Sequence, residues 1–354
     1  MKKIGRKVCM LAAKTGCPRN GEGAFLRLKD GRILFAFSRF TDGDQWEDHS
    51  PAHIAAVESK DEGETWSAAR TLLSPSPEEA NLMCVSLLRL KDGGVGIFYE
   101  VKYLAENGAV RSRAVFRRSY DEGENWSAPQ VFADGECYLV AENDRAVRLR
   151  GGRIVFPVNY HGGDGRALQT GEAHFFYSDD DGKNWRESPT VLRCPVPSAA
   201  GLQETGVCEL PDGRLMAFSR TQFGCQYTAF SRDGGIGWTQ PQPEPRFPSP
   251  MSPMCVKNLR GFTAAILNPQ PENETNGKCA PRSWGRTPLA LLVSRDGFAS
   301  DPQTYLIEDD PADGYCYTAV FEGEDYFLAA YYHSNGGATP LSSCKIVKIG
   351  FDEL

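Results

Sequence analysis

Short apolar runs come in pairs along this chain, and each pair is split by a tight polar turn. LRLKDGRILFAF begins at Leu26, LLRLKDGGVGIFY at Leu87, VRLRGGRIVFPV at Val147 and CELPDGRLMAFS at Cys208. Weaker copies, KNLRGFTAAIL and AVFEGEDYFLAAYY, begin at Lys257 and Ala319. Asp-Gly or Gly-Gly between two apolar runs is the strongest short-range hairpin signal. No long segment of 3.6-residue period competes with it. The chain therefore reads as six copies of a hairpin.

A second motif interleaves with the first. SKDEGETW begins at Ser59, SYDEGENW at Ser119, SDDDGKNW at Ser178 and SRDGGIGW at Ser231, with a worn copy, SRDGFASD, at Ser294. These serines lie 53 to 63 residues apart, which is the period of a repeat architecture. Each unit holds four short strands, joined in pairs at the Asp-Gly turn and at the octet. One such sheet cannot bury both faces alone, and radial stacking solves this. The expected fold is an all-β, six-bladed β-propeller of four-stranded antiparallel blades, one domain over residues 1–354. The last unit lacks an octet, and the N-terminal KVCMLAA is expected to supply its outer strand.

The octets look at first like carboxylate chemistry. Their recurrence argues otherwise, because one active site does not need five copies. Asp at the third position can accept backbone N–H groups, Gly can take φ > 0, and Trp can fill the space between blades. The calcium-loop pattern, with its spaced ligands and terminal Glu, is missing. The octets therefore mark the far end of each blade. In a four-stranded meander the first and third turns share an end, so the Asp-Gly turns and octets lie on one face. The opposite face collects Arg19, Glu22, Arg39 and Asp44 to His49 from the first unit. It gathers Asn81, Glu100 and Lys102 from the second, and Glu142 to Arg145 with His161 from the third. Glu204 and Arg220 come from the fourth unit and Arg286 from the fifth. Tyr315, Tyr317, Tyr332 and His333 come from the last.

Composition narrows the ligand. The chain has 354 residues, 41% hydrophobic and 24% charged, and a net charge of −7, so no basic patch points to nucleic acid or an anionic membrane. An anionic ligand must be met by a local arginine cluster. The 11 cysteines form no CxxC pair, which points to free thiols in a reducing compartment and not to zinc or a disulfide framework. The apolar run Val8 to Ala13 is too short for a secretory leader, and no run approaches membrane-spanning length. The expected location is cytoplasmic. No metal or other cofactor is expected.

The octets and the order of residues on the opposite face resemble the sialidase (neuraminidase) superfamily, whose Asp-boxes and six-bladed propeller they match over essentially the whole chain. That resemblance implies a triad of arginines gripping a substrate carboxylate: Arg19, Arg220 and Arg286. Pro18 precedes Arg19, where the family has Pro two residues after it, and this departure makes a non-standard sugar acid plausible. The resemblance further implies Tyr315 in the Gly-Tyr turn as nucleophile, with Tyr317 as its rival, and Glu204 as base. It implies Asp48 as acid/base, with Asp44 and Glu47 as alternatives. Arg39, Asp144, Arg145 and Tyr317 complete the expected ligand contacts, although Asp144 and Arg145 read equally well as a buried pair tying blades together.

The chemistry accounts for these parts. Guanidiniums offer paired planar donors to a carboxylate. A phenol nucleophile avoids the repulsion that an anionic substrate would exert on a carboxylate, which is why sialidases depart from the two-carboxylate glycosidase scheme. The implied activity is retaining exo-α-sialidase-like hydrolysis of a sialic acid or related 2-keto-3-deoxy sugar acid. The competing readings are a non-hydrolytic member (lyase, transferase or glycan-binding propeller) and an interaction scaffold. The expected partner is a small molecule or glycan bearing a carboxylate. Oligomeric state is not legible.

Overall fold

The computed structural model describes residues 1–41, 47–135, 137–162 and 170–354. After β1 (Arg6–Leu11), the strands fall into consecutive antiparallel groups. The first is β2 (Asn20–Arg27), β3 (Ile33–Phe40), β4 (Ala52–Ser59) and β5 (Arg70–Leu73). The second is β6 (Asn81–Arg89), β7 (Val95–Leu104), β8 (Val110–Ser119) and β9 (Gln130–Asp134). The third is β10 (Tyr138–Val140), β11 (Val147–Arg148), β12 (Ile154–His161), β13 (Gly171–Ser178) and β14 (Arg186–Glu187). The fourth is β15 (Gln203–Glu209), β16 (Leu215–Arg220), β17 (Cys225–Ser231) and β18 (Gln242–Pro248). The fifth is β19 (Cys255–Leu259), β20 (Phe262–Leu267), β21 (Leu289–Ser294) and β22 (Gln303–Glu308). The last is β23 (Tyr315–Glu322), β24 (Tyr326–His333) and β25 (Ser343–Gly350), whose outer edge is β1, with Arg6 opposite Lys348 and Leu11 opposite Cys344.

The fold is an all-β propeller. Its hydrogen bonds differ from the expected separate four-stranded sheets: they form five sheets, one of eight strands and one of five. The eight-stranded sheet is the first two groups joined by a parallel bridge, Ala52 to Asn81. The five-stranded sheet arises because its inner strand is broken. Residues 141–146 leave the ladder, and β10 and β11 each pair with β12.

Apolar side chains fill the seams between consecutive groups. Phe98, Phe116, Phe132 and Phe156 join the second group to the third, and Leu291, Tyr305, Phe327 and Ile349 join the fifth to the last. Phe25, Phe35, Leu328 and Ile346 join the last group back to the first, closing the ring.

The octets are self-contained turns. Asp61 Oδ1 accepts from the Ser59 hydroxyl at 2.8 Å and from the Thr65 N–H at 2.9 Å, and the Gly63 N–H donates to Ser59 Oγ at 2.8 Å. The same pattern recurs at Asp121, Asp180, Asp233 and Asp296. Gly63 has φ +84° because the chain must reverse while that N–H faces the serine. In the worn fifth copy Phe298 takes this place with φ +64° and buries its ring in the seam between the fourth and fifth groups. Trp66, Trp126, Trp185 and Trp238 each pack on a seam cluster. Ile33 pairs with both Arg27 and Ser59, which puts the Asp-Gly turn and the octet at one end of the group.

These turns carry two expected outcomes. A Cβ at Gly63 would stand 2.9 Å from Leu328 at a strained φ, so Gly63→Ala should lower unfolding free energy by about 1–3 kcal/mol in urea titrations. Hydrogen bonds from Thr65, Asn125 and Asn184 hold the carboxyls of Asp61, Asp121 and Asp180 at about 2. Folded values below the ordinary 3.8 mean that the turns contribute fully above that pH and lose their contribution as pH falls toward 2. The urea midpoint should follow that window, and a flat midpoint across it would contradict the assignment.

Candidate active site

The inner strands do not run straight at the end away from the octets. Register shifts interrupt β2 between Gly21 and Ala24, β6 between Met83 and Ser86, β15 between Gln203 and Gly206, and β23 between Cys316 and Ala319. At each interruption a residue other than glycine holds a positive φ: Glu22 at 52°, Cys84 at 58°, Glu204 at 49° and Tyr317 at 59°. Asp144, at 55°, occupies the break between β10 and β11. Such bulges re-aim a side chain out of the pleat. Here they aim it at the centre, because side chains from groups that are not neighbours in the ring now meet. The Tyr317 hydroxyl donates to Glu204 Oε1 at 2.6 Å, although a whole group separates their strands.

Glu204 is the hub. Its Oε1 also accepts from Arg220 NH1 at 2.6 Å, and its Oε2 is buried with no protein donor among the described residues. Burial opposes its ionisation, but the charge and bond of Arg220, then Arg286 and the Tyr317 hydroxyl, outweigh burial and hold the carboxyl below its ordinary value. Tyr317 is pushed the other way, well up, by burial and by the Glu204 charge. The Arg286 guanidinium lies 5.5 Å from the Tyr317 ring centroid and 5.2 Å from that of Trp284, and its NH1 donates to Cys316 Sγ at 3.2 Å. Arg220 Nε is buried and has no protein acceptor among the described residues.

Arg19, on the other side of Tyr317, is 1% exposed. Its Nε donates to Tyr332 Oη at 2.7 Å, NH1 to Asp48 Oδ1 at 2.6 Å and NH2 to Glu22 Oε1 at 2.5 Å. The Tyr332 ring meets the Tyr317 ring edge-on at 5.9 Å, which links the two halves of the site. Asp48 adjoins a second buried group. Lys102 donates to Tyr138 Oη at 2.5 Å and pairs with Glu100 at 3.3 Å, and Asn81, opposite Lys102, donates to the Asp48 carbonyl at 2.7 Å. Burial, with the charges of Glu204 and Glu22, raises Glu142 well above its ordinary value.

The structure brings together Arg19, Asp48, Glu204, Arg220, Arg286 and Tyr317. It does not bring Tyr315 to them. Tyr315 is 1% exposed in the seam between the fifth and last groups, with its ring 6.2 Å from Tyr331 and 5.2 Å from His333. The bulge after Cys316 sends the two tyrosines apart. Asp144 and Arg145, expected at the ligand or as a buried pair tying blades together, do not bond to each other among the described residues, and each ties its strand to other groups. Asp144 accepts from Lys257 Nζ at 2.9 Å and from the Val320 N–H at 3.1 Å, while Arg145 donates to the carbonyls of Glu204 and Met254. With Asn143, which donates to the Gly23 carbonyl, they lace the third group across the centre to the others. Arg39 is turned to Cys17 Sγ, 3.3 Å from its Nε. Glu47 accepts from Ser50 within its own loop, and Asp44 lies outside the described residues. Cys84, Tyr138 and Cys316, all buried at the centre, escaped the sequence reading because no local motif marks the bulges beside Cys84 and Cys316 or the broken strand that carries Tyr138.

The chain matches the family described as "BNR repeat-like domain" over residues 78–333. It is similar to the anhydrosialidase of Macrobdella decora, with 24% identity over 230 residues, 61% of this chain and 29% of that protein. The chain thus spans less than a third of that relative's length. It is similar in structure to the NanB sialidase of Streptococcus pneumoniae, with a TM-score of 0.73 and 15% identity, covering 99% of this chain and 71% of that one. A protein of unknown function from Dyadobacter fermentans gives the same TM-score of 0.73 at 19% identity, covering 97% and 99%. At these identities the structural likeness speaks for the fold.

The lacing across the centre yields an expected outcome. Asp144→Ala leaves the Val320 N–H without its acceptor and Lys257 with only the backbone carbonyl of residue 144, and should cost about 1–3 kcal/mol of unfolding free energy in urea. A change within about 0.5 kcal/mol, the scatter of surface substitutions, would contradict the structural role.

Proposed function

The chain belongs to the family of BNR repeat-like domains, and from that premise we propose that it is a retaining exo-α-sialidase-like enzyme acting on a terminal sialic acid or related 2-keto-3-deoxy sugar acid. Residues 1–354 form one catalytic unit in this reading. Its eight-stranded sheet counts as two blades divided at the Ala52–Asn81 bridge, for six in all. The observation that carries the proposal is the Tyr317–Glu204 hydrogen bond of 2.6 Å, set beside the guanidiniums of Arg220 and Arg286.

Arg220, Arg286 and Arg19 hold the substrate carboxylate. Glu204, ionised in the free site, takes the phenolic proton as Tyr317 Oη attacks the anomeric carbon. Asp48 gives its proton to the departing oxygen, and the glycosyl group is left on Tyr317. In the second half Asp48 takes a proton from water, the water oxygen attacks the anomeric carbon, and Tyr317 leaves and recovers its proton from Glu204. Two displacements at one carbon retain configuration. This assignment replaces Tyr315 by Tyr317.

A second reading is favoured by the similarity to an anhydrosialidase. The glycosyl intermediate can be released by one of the sugar's own hydroxyls in place of water. Mass analysis of the product decides between the two, because the internal product is one water lighter.

Turnover of an aryl sialoside is the test. Tyr317→Phe and Glu204→Gln should each lower kcat/KM by roughly 10²–10⁴-fold, the range for a lost nucleophile or proton acceptor, while Tyr315→Phe stays within about tenfold of the parent. Near-normal turnover by Tyr317→Phe would overturn the assignment.

A further inference from the structure

Without any ligand, each guanidinium nitrogen of Arg19 already has an acceptor: Tyr332 Oη for Nε, Asp48 for NH1 and Glu22 for NH2. The group cannot turn away to find another. It is 1% exposed and lies between the rings of Phe40 at 4.5 Å and Tyr332 at 5.4 Å. Tyr332 and Glu22 are themselves buried, at 0% and 3% exposure. Asp48 differs. It sits on the loop between β3 and β4, its side chain is 48% exposed, and water can replace what it loses. Of Arg19's partners among the described residues, Asp48 is the one that an arriving ligand can displace.

We propose that the substrate's carboxylate competes with Asp48 for the NH1 edge of Arg19, so that Asp48 becomes a proton donor only when a carboxylate-bearing sugar is in place. The inference rests on the reading of Asp48 as the acid of the reaction. It makes Asp48 a specificity determinant: a sugar lacking the carboxylate can enter the site, but it leaves the acid tied to Arg19 and is discriminated against in kcat.

The surroundings of Asp48 support the sign of the effect. Arg19 faces it from just before β2 and Glu22 from β2, Glu100 and Lys102 from β7, Tyr138 from β10, and His49 from its own loop. The protein atoms packed around its half-exposed carboxyl oppose ionisation, but the charges of Lys102 and Arg19 and the Arg19 hydrogen bond hold the carboxyl well below its ordinary value. In the free site Asp48 is therefore an anion, the wrong form to donate. A ligand carboxylate that takes NH1 removes that bond and adds a negative charge, and both changes favour the protonated form. Lys102 stays where Glu100 and Tyr138 hold it, and it limits the rise. Because the bound state has the higher Asp48 value, binding takes a proton from the buffer, and affinity increases as pH falls through the window between the free and bound values.

Isothermal titration calorimetry with the S-linked methyl ketoside of N-acetylneuraminic acid, in two buffers of different ionisation enthalpy, reads this directly. Measured from about pH 7 down to about pH 5, the uptake should be positive and should grow as pH falls. Asp48→Asn should bind the ketoside at least as tightly, having lost the competitor, with the uptake abolished. Binding without proton exchange across that range, or uptake that persists in Asp48→Asn, would overturn the proposal and leave the carboxylate site intact. No binding at all would remove the reading of the site together with the proposal.

Discussion

A closed ring of sheets leaves a central space that strand pairing alone does not fill, and this chain fills it by breaking its own inner strands. At each bulge one residue takes a positive φ and turns its side chain inward: Glu22, Cys84, Glu204 and Tyr317, with Asp144 in the broken strand of the third group. Each such backbone costs of order 1 kcal/mol or more and persists only because its surroundings fix it. The fixing is visible. Tyr317 is held by Glu204, and Asp144 by Lys257 and the Val320 N–H. The same distortion that plugs the axis builds the site.

Inward-facing charge must be paired or neutralised, since an isolated buried ion costs several kcal/mol. The centre uses both routes. Arg19 with Glu22 and Arg220 with Glu204 are ion pairs, while burial beside Glu204 and Glu22 raises Glu142 well above its ordinary value and favours its neutral form. The resulting field is divided. The guanidiniums of Arg220 and Arg286 hold Glu204 below its ordinary value, and Lys102 and Arg19 hold Asp48 below its own.

What the sequence disclosed follows from how local each signal is. The octets were legible as structural turns because Ser59, Asp61, Gly63 and Trp66 bond among themselves within eight residues. Arg19, Asp48, Glu204, Arg220 and Arg286 were legible because each stands at a fixed place relative to a turn that the sequence marks. The choice between Tyr315 and Tyr317 was not legible. Both would share a face in a regular strand, and only the shift between Cys316 and Ala319 sends one to a seam and the other to the centre. The axial roles of Asp144 and Arg145 were hidden for a like reason. Their partners Lys257, Met254 and Val320 lie over 100 residues away, and no local pattern announces them. The grouping of strands into five sheets turned on one bridge, Ala52 to Asn81, which no turn motif encodes.

The central claim is that Tyr317 forms the covalent bond to the sugar. Incubation with a fluorinated sialosyl fluoride, which forms the glycosyl intermediate faster than it is released, followed by peptide fragmentation mass spectrometry, tests it most directly. The account predicts one sugar per chain, borne by Tyr317 and not by Tyr315. A sugar found on Tyr315 or on a carboxylate would contradict it, as would turnover of an aryl sialoside with inversion at the anomeric carbon.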